Sequence, residues 1–133
     1  MNFFLDSNIC IYYLTGKYTT ITEKIKNTDP IHIKIPSLVK AELIVGAIKS
    51  KKKKENLKII NKFLSYFEII PFGNIESEIY AEIRAILEIK GNIIGPNDLI
   101  IASTVMANNG ILITNNTNEF KRIKNLRIEN WTK

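Results

Sequence analysis

Four short apolar runs punctuate the chain: "NFFL" (2–5), "IHIKI" (31–35), "EIIP" (68–71) and "ILIT" (111–114). Long stretches with helical spacing separate them, and this alternation constrains the fold more than any other feature. A hairpin turn cannot join strands that have whole helices between them, so each connection must cross over and the strands must pair in parallel. A parallel sheet is covered by its crossover helices on both faces, which explains runs that are nearly continuous in apolar residues. The expectation is an α/β fold with a mostly parallel central sheet of four to five strands flanked by helices, in a single domain spanning 1–133. In such folds, ligands bind outside the carboxyl ends of the strands. Residues that follow a strand are therefore the places to look for chemistry.

The intervening segments read as helices with identifiable ends. "SNICIYYLTG" offers Ser7 or Asn8 as N-cap and Gly16 as a stop, and Asp29-Pro30 closes "YTTITEKIKNTD". Pro36 and Ser37 suit the start of "PSLVKAELIVGAIKS", where Leu38, Ala41, Ile44, Val45 and Ile48 recur at helical spacing and predict the inward face. "ENLKIINKFLSYF" follows as a further helix. "IESEIYAEIRAILEIKG" places Ile79, Ile83, Ile86 and Leu87 inward with Gly91 closing it, and a helix runs from about Pro96 to Asn108. A polar loop "NNTNEFKR" and a last short strand around "LRIEN" complete the chain.

Composition bounds the function. At 133 residues with 45% hydrophobic and 24% charged residues, the chain can bury a core without disulfides. The single Cys10 has no partner and no zinc spacing; a reducing, cytoplasmic setting is expected, with Cys10 as a core filler. No apolar run is long enough to span a membrane, and the amino terminus lacks the basic start of a signal peptide. The net charge is +6, and "KSKKKKENLK" (49–58), six lysines against one glutamate, carries +5 of it. Lys51, Lys52, Lys53 and Lys54 are thus candidates for phosphate contacts with a nucleic acid, against the plainer reading of a solvated helix end.

The acids hold the remaining information. Asp6 ends the first strand, where it can cap the next helix. Asp98 sits in the first turn of its helix amid the apolar "IIGPNDLIIAS", where the helix dipole favours a carboxylate. Glu42 lies in a helix with apolar neighbours, and Asn115, Asn116 and Glu119 follow "ILIT". Each has a bland account, but a parallel sheet can bring all of them to one edge. Clustered carboxylates need a proton or a cation, since two of them about 4 Å apart repel by roughly 4 kcal/mol at a surface-like dielectric. An oxygen-only set without histidine or cysteine points to Mg²⁺ or Mn²⁺. His32, solitary and strand-borne, reads as structural. A carboxylate-held Mg²⁺ suits phosphoryl chemistry. Phosphate-loop, dinucleotide-binding and serine-hydrolase motifs are missing.

Four blocks in order, "FLDSNICIYYL", "PSLVKAELIVGAIKS", "IRAILEIKGNIIGPNDLIIAS" and "ILITNNTNEFKRIKNLRIENWT", resemble the VapC toxins of bacterial toxin–antitoxin pairs, which are PIN-domain ribonucleases. The resemblance runs from Phe4 to Thr132. It implies a metal site built from acids and cleavage of RNA, with Asp6, Glu42 and Asp98 matching the family's first three acids. Asp6 and Asp98 would be the primary metal ligands. Ser7 and Asn8 match the residues that support the first acid, and Thr114 the threonine ending the fourth strand. Where many relatives carry an aspartate two residues after that threonine, this chain has Asn116; either Glu119 substitutes for it, or Asn116 itself serves through its carbonyl or a metal-bound water. The resemblance further implies hydrolysis to a 5′-phosphate and a 3′-hydroxyl, a homodimer, and a small VapB-like antitoxin that covers the cleft. The RNA implied is a single-stranded loop of transfer or ribosomal RNA.

Two other readings are compatible with parts of the chain. A receiver-like signalling domain would bind Mg²⁺ and accept phosphate, but it wants paired acids after the first strand and an acceptor after a middle one. A non-catalytic RNA-binding module would use the lysine run and leave the acids without a task.

Overall fold

The computed structural model describes residues 1–133 and contains five strands in one sheet. These are β1 (Phe3–Leu5), β2 (Ile33–Pro36), β3 (Glu68–Ile70), β4 (Ile111–Ile113) and β5 (Ile128–Glu129). Their order is β3-β2-β1-β4-β5, and every pairing is parallel. The chain lays strands outward to one side of β1, then returns to place β4 on its other side. The switch of direction falls between β1 and β4, where Phe3 is in register with Ile111 and Leu5 with Ile113. Backbones that diverge from neighbouring strand ends leave a crevice there.

Seven helices fill the connections: α1 (Ser7–Thr15), α2 (Thr19–Asn27), α3 (Ser37–Lys49), α4 (Lys53–Leu64), α5 (Asn74–Ile89), α6 (Pro96–Ala107) and the single turn α7 (Thr117–Phe120). The central strands are apolar apart from Lys34 of β2, because both faces are covered: Phe4, Leu5, Ile33, Ile35 and all of β4 are buried. The edges differ. β3 and β5 are short, and each carries an exposed glutamate, Glu68 or Glu129, which blunts them against further pairing. Trp131 is buried against Phe3, ring centroids 5.3 Å apart, and fastens the carboxyl terminus to the sheet. No helix is long and apolar enough to cross a membrane.

The structure moves several predicted features. The amino-terminal cap of α1 is Asp6, not Ser7 or Asn8, because the Asp6 Oδ1 accepts from the Ile9 N–H at 3.0 Å. Gly16 ends α1 as predicted, in the left-handed conformation (φ 71°). "IH" is not strand: Asp29 Oδ1 accepts from the Ile31 N–H at 3.1 Å and winds Pro30–His32 into a 3-10 turn, so β2 begins at Ile33 and His32 is exposed. Inside the polar loop the structure forms α7.

The largest difference concerns α3. Its buried residues are Val39, Leu43 and Ala47, while Val45 and Ile48 of the predicted inward face are 53% and 48% exposed. Ala41 is exposed as well, and Leu38 and Ile44 are only partly covered. Ile86 of α5 is likewise outward, whereas Ile83 and Leu87 are buried as expected.

Candidate active site

Asp6 is the first residue after β1, and the Asp6 N–H donates to the Ile113 carbonyl at 3.2 Å, which pins it to the end of β4. Thr114 is the residue that follows β4 and is fully buried beside Asp6. α6 starts at Pro96 and delivers Asp98 within its first turn, while Leu99, Ile101 and Ala102 anchor the helix in the core. Glu42 comes from the middle of α3 and Glu119 from α7. Four elements therefore bring one acid each to the carboxyl edge of the sheet, at the β1/β4 crevice.

The electrostatics record this convergence. Burial raises the Asp6 carboxyl above its ordinary range, the hydroxyl of Thr114 and the Ile9 N–H pull it back, and the charge of Glu42 raises it further. Asn8 contributes its backbone N–H in the same sense as Ile9, while its side chain is exposed. Asp98 is pushed from 3.8 up to about 6, first by burial and then by Glu119, which stands within hydrogen-bonding reach; Asp6 and Glu42 add repulsion. Asp98 thus feels all three other acids.

Ser7 does not support Asp6. Its Oγ donates to Glu42 Oε1 at 2.7 Å, a bond between residues 35 apart in sequence. Asn116 is tied to two of its neighbours: its Nδ2 donates to Glu119 Oε2 at 3.0 Å, and its N–H donates to Thr114 Oγ1 at 2.9 Å. Asn97 is a site residue that sequence reasoning misses. Its Nδ2 reaches toward Glu42 Oε2 at 3.5 Å from the position beside Asp98, and the signal available was that adjacency alone.

As the side chains stand, no three acids are arranged around a common point for a metal ion. Glu42 is turned toward Ser7 and Glu119 toward Asn116. The donor chemistry nevertheless fits a hard divalent cation. The donors are oxygens only, and the chain's two ion pairs, Lys34–Glu68 and Arg84–Glu88, leave all four acids without a basic partner. The mutual repulsion that raises Asp98 is what a cation would relieve.

The lysine run reaches the same region. An open groove of about 660 Å³ is lined by Glu42 and Asn97 at the acids and by Lys49 and Ser50 where the run begins. Lys49 is seven residues after Glu42 on α3, hence on the same helix face about 10 Å along. Lys51, Lys52, Lys53 and Lys54 are exposed just beyond, at the start of α4.

Comparison with known proteins fixes the family. The PIN domain matches residues 3–126. Ribonuclease VapC2 of Rickettsia felis is 47% identical, with all of both chains covered. The chain belongs to the VapC ribonucleases of the PIN-domain family. The tRNA(fMet)-specific endonuclease VapC of Shigella flexneri is 35% identical over 99% of each chain. Among solved structures, a DNA-bound VapBC complex of Salmonella typhimurium superposes with a TM-score of 0.93, 34% identity and 98% of each chain covered. The parallel α/β architecture expected from the strand and helix order is that of this family.

Proposed function

We propose that the chain is a metal-dependent endoribonuclease and the toxin of a type II toxin–antitoxin pair. Its substrate would be a single-stranded loop of transfer or ribosomal RNA, and transfer RNA is favoured by the name of the Shigella flexneri relative. The observation that carries this reading is the convergence of Asp6, Glu42, Asp98 and Glu119 at the β1/β4 crevice without a basic partner. Asp6 and Asp98, from the strand end and the first helical turn, would hold Mg²⁺ or Mn²⁺, with Glu42 and Glu119 completing the set. When bound, such a cation supplies charge neutralisation at the phosphate and a more acidic water.

The chain's own residues do the rest. Thr114 and the α1 amino terminus keep Asp6 oriented and favour its ionised form. The raised pKa of Asp98 belongs to the cation-free site, and a bound cation would favour its ionised, ligating form by offsetting the repulsion from Glu119, Asp6 and Glu42. Attack by water on phosphorus, with the P–O3′ bond breaking and the departing 3′-oxygen taking up a proton, would leave a 5′-phosphate and a 3′-hydroxyl. Exposed lysines 51–54 would hold flanking phosphates, which adds affinity without sequence choice.

The VapBC complexes among the related structures support a VapB-like antitoxin as the partner here, and the exposed apolar face of α3 supports a homodimer. The proposed RNA substrate and a buried, unpaired Cys10 support a cytoplasmic location. Induction of the chain in a bacterial host tests the reading as a whole. Growth should arrest while transfer or ribosomal RNA is cut, and co-expression of a cognate VapB-like antitoxin should restore growth. Arrest with intact RNA would overturn the proposal.

A further inference from the structure

Only neutral side chains contact the two glutamates of the site: Asn97 at the long distance of 3.5 Å from Glu42 Oε2, and Ser7 and Asn116 through short bonds. Ser7 Oγ, at the start of α1, donates to Glu42 Oε1 on α3 at 2.7 Å. Asn116 Nδ2 donates to Glu119 Oε2 on α7 at 3.0 Å, and Asn116 is itself tied by its N–H to the buried Thr114 hydroxyl. Both restraints originate at strand ends, Ser7 two residues beyond β1 and Asn116 three beyond β4. They are therefore fixed to the rigid sheet rather than to the surface.

The type of donor matters. A lysine or arginine would hold either glutamate through a stronger, charge-assisted bond. It would also cancel the negative charge that draws a cation. Serine and asparagine orient a carboxylate and leave its charge intact. The chain has 19 lysines and arginines, yet both of its ion pairs lie away from these four acids.

We propose that Ser7 and Asn116 are positioning residues that fix Glu42 and Glu119 without discharging them. Each bond engages one oxygen of its carboxylate, Oε1 of Glu42 and Oε2 of Glu119, and so limits how far that side chain must move to offer its other oxygen to a divalent cation. This inference rests on the metal-dependent reading above and adds to it the parts of the chain that set cation affinity.

The test is a Mn²⁺ titration of the full chain at pH 7.5, without RNA, read by electron paramagnetic resonance. Ser7→Ala and Asn116→Ala should each weaken Mn²⁺ binding roughly tenfold, the scale of a missing hydrogen bond to a charged group. Ser7→Thr, which keeps the hydroxyl, should restore affinity to within about threefold of wild type. Asn116→Lys keeps a donor but adds charge, and should weaken binding more than Asn116→Ala does. In a Glu42→Gln background Ser7→Ala should have no further effect, because the serine acts only through that carboxylate. Wild-type affinity in folded Ser7→Ala and Asn116→Ala overturns the inference, as do losses that simply multiply in the Glu42→Gln background. Should Ser7→Ala not fold, the half-exposed Asn116 and its Glu119→Gln background decide alone. A wild-type chain that binds no Mn²⁺ instead removes the metal-dependent reading itself, a different result from binding that ignores Ser7 and Asn116.

Discussion

Asp98 and Glu119 face each other within hydrogen-bonding reach, one from the first turn of α6 and the other from α7, and together with burial this pushes Asp98 up to about 6. The native chain therefore binds a proton at Asp98 more tightly than the unfolded chain does. By linkage, the contribution of Asp98 to stability without metal is fully present below the unfolded value near 3.8, falls as pH rises toward about 6, and is lost above it. Thermal midpoints in EDTA at pH 4.5, 6 and 7.5 should decline in wild type relative to Asp98→Asn. A constant difference between the two proteins would show that Asp98 does not titrate in this window.

The same repulsion sets function against stability. Asp98→Asn should raise the midpoint at pH 7.5 without metal by roughly 3–5 °C, about 1 kcal/mol, while abolishing RNA cleavage. Mn²⁺ should stabilise wild type and not the variant. The comparison needs only differential scanning calorimetry and a cleavage assay. An Asp98→Asn protein that is less stable than wild type at pH 7.5 would mean the acid is chiefly a helix cap.

Asp6 carries two roles that substitution separates. Asp6→Asn keeps an acceptor for the Ile9 N–H, now at 3.0 Å, and should fold with little loss while cleavage disappears. Asp6→Ala removes the cap as well and should cost about 1 kcal/mol more. Urea midpoints for the two variants check the difference.

Lys51, Lys52, Lys53 and Lys54 should govern affinity rather than choice of site. Replacing all four with glutamine is expected to raise KM, leave the cleaved positions unchanged, and flatten the dependence of binding on salt. On a single strand the slope falls by about 0.7 for each phosphate that the protein ceases to neutralise. An unchanged slope would return the run to a merely solvated connection.

Gly110 tests the packing that places β4. A Cβ at this position would overlap the ring of Phe4 and lie 3.3 Å from the Asn2 carbonyl. Phe4 is buried and has no room to move, so Gly110→Ala should destabilise by about 1–3 kcal/mol while activity per folded molecule is kept.

Which features the sequence makes readable follows from how local their causes are. Gly16 and Gly91 end their helices at positive φ, 71° and 66°, and Pro96 starts α6, because these residues act through their own backbone. β1 and β4 are legible since strands buried on both faces are apolar without interruption. The inward face of α3 is not legible, because that helix is apolar on nearly every side. With Leu38, Val39, Leu43, Ile44, Val45 and Ile48 around one cylinder, spacing cannot tell the face toward the sheet from the face toward solvent. Asp29 displaces the start of β2 through a side-chain bond to Ile31 that competes with strand formation. The acids stand out because each sits at a strand end, a helix start or in an apolar helix. Their partners do not, since Ser7 reaches Glu42 across 35 residues and only the fold brings the two together.

The central claim is that the four acids at the β1/β4 crevice cut RNA by metal-dependent hydrolysis. End-group analysis of RNA cut by the purified chain tests it most directly, with Mn²⁺, with EDTA, and with Asp98→Asn. Cleavage in Mn²⁺ alone, giving 5′-phosphate and 3′-hydroxyl ends and vanishing in Asp98→Asn, is the predicted result. Cuts that persist in EDTA or in Asp98→Asn, or that leave 2′,3′-cyclic phosphates, would contradict it.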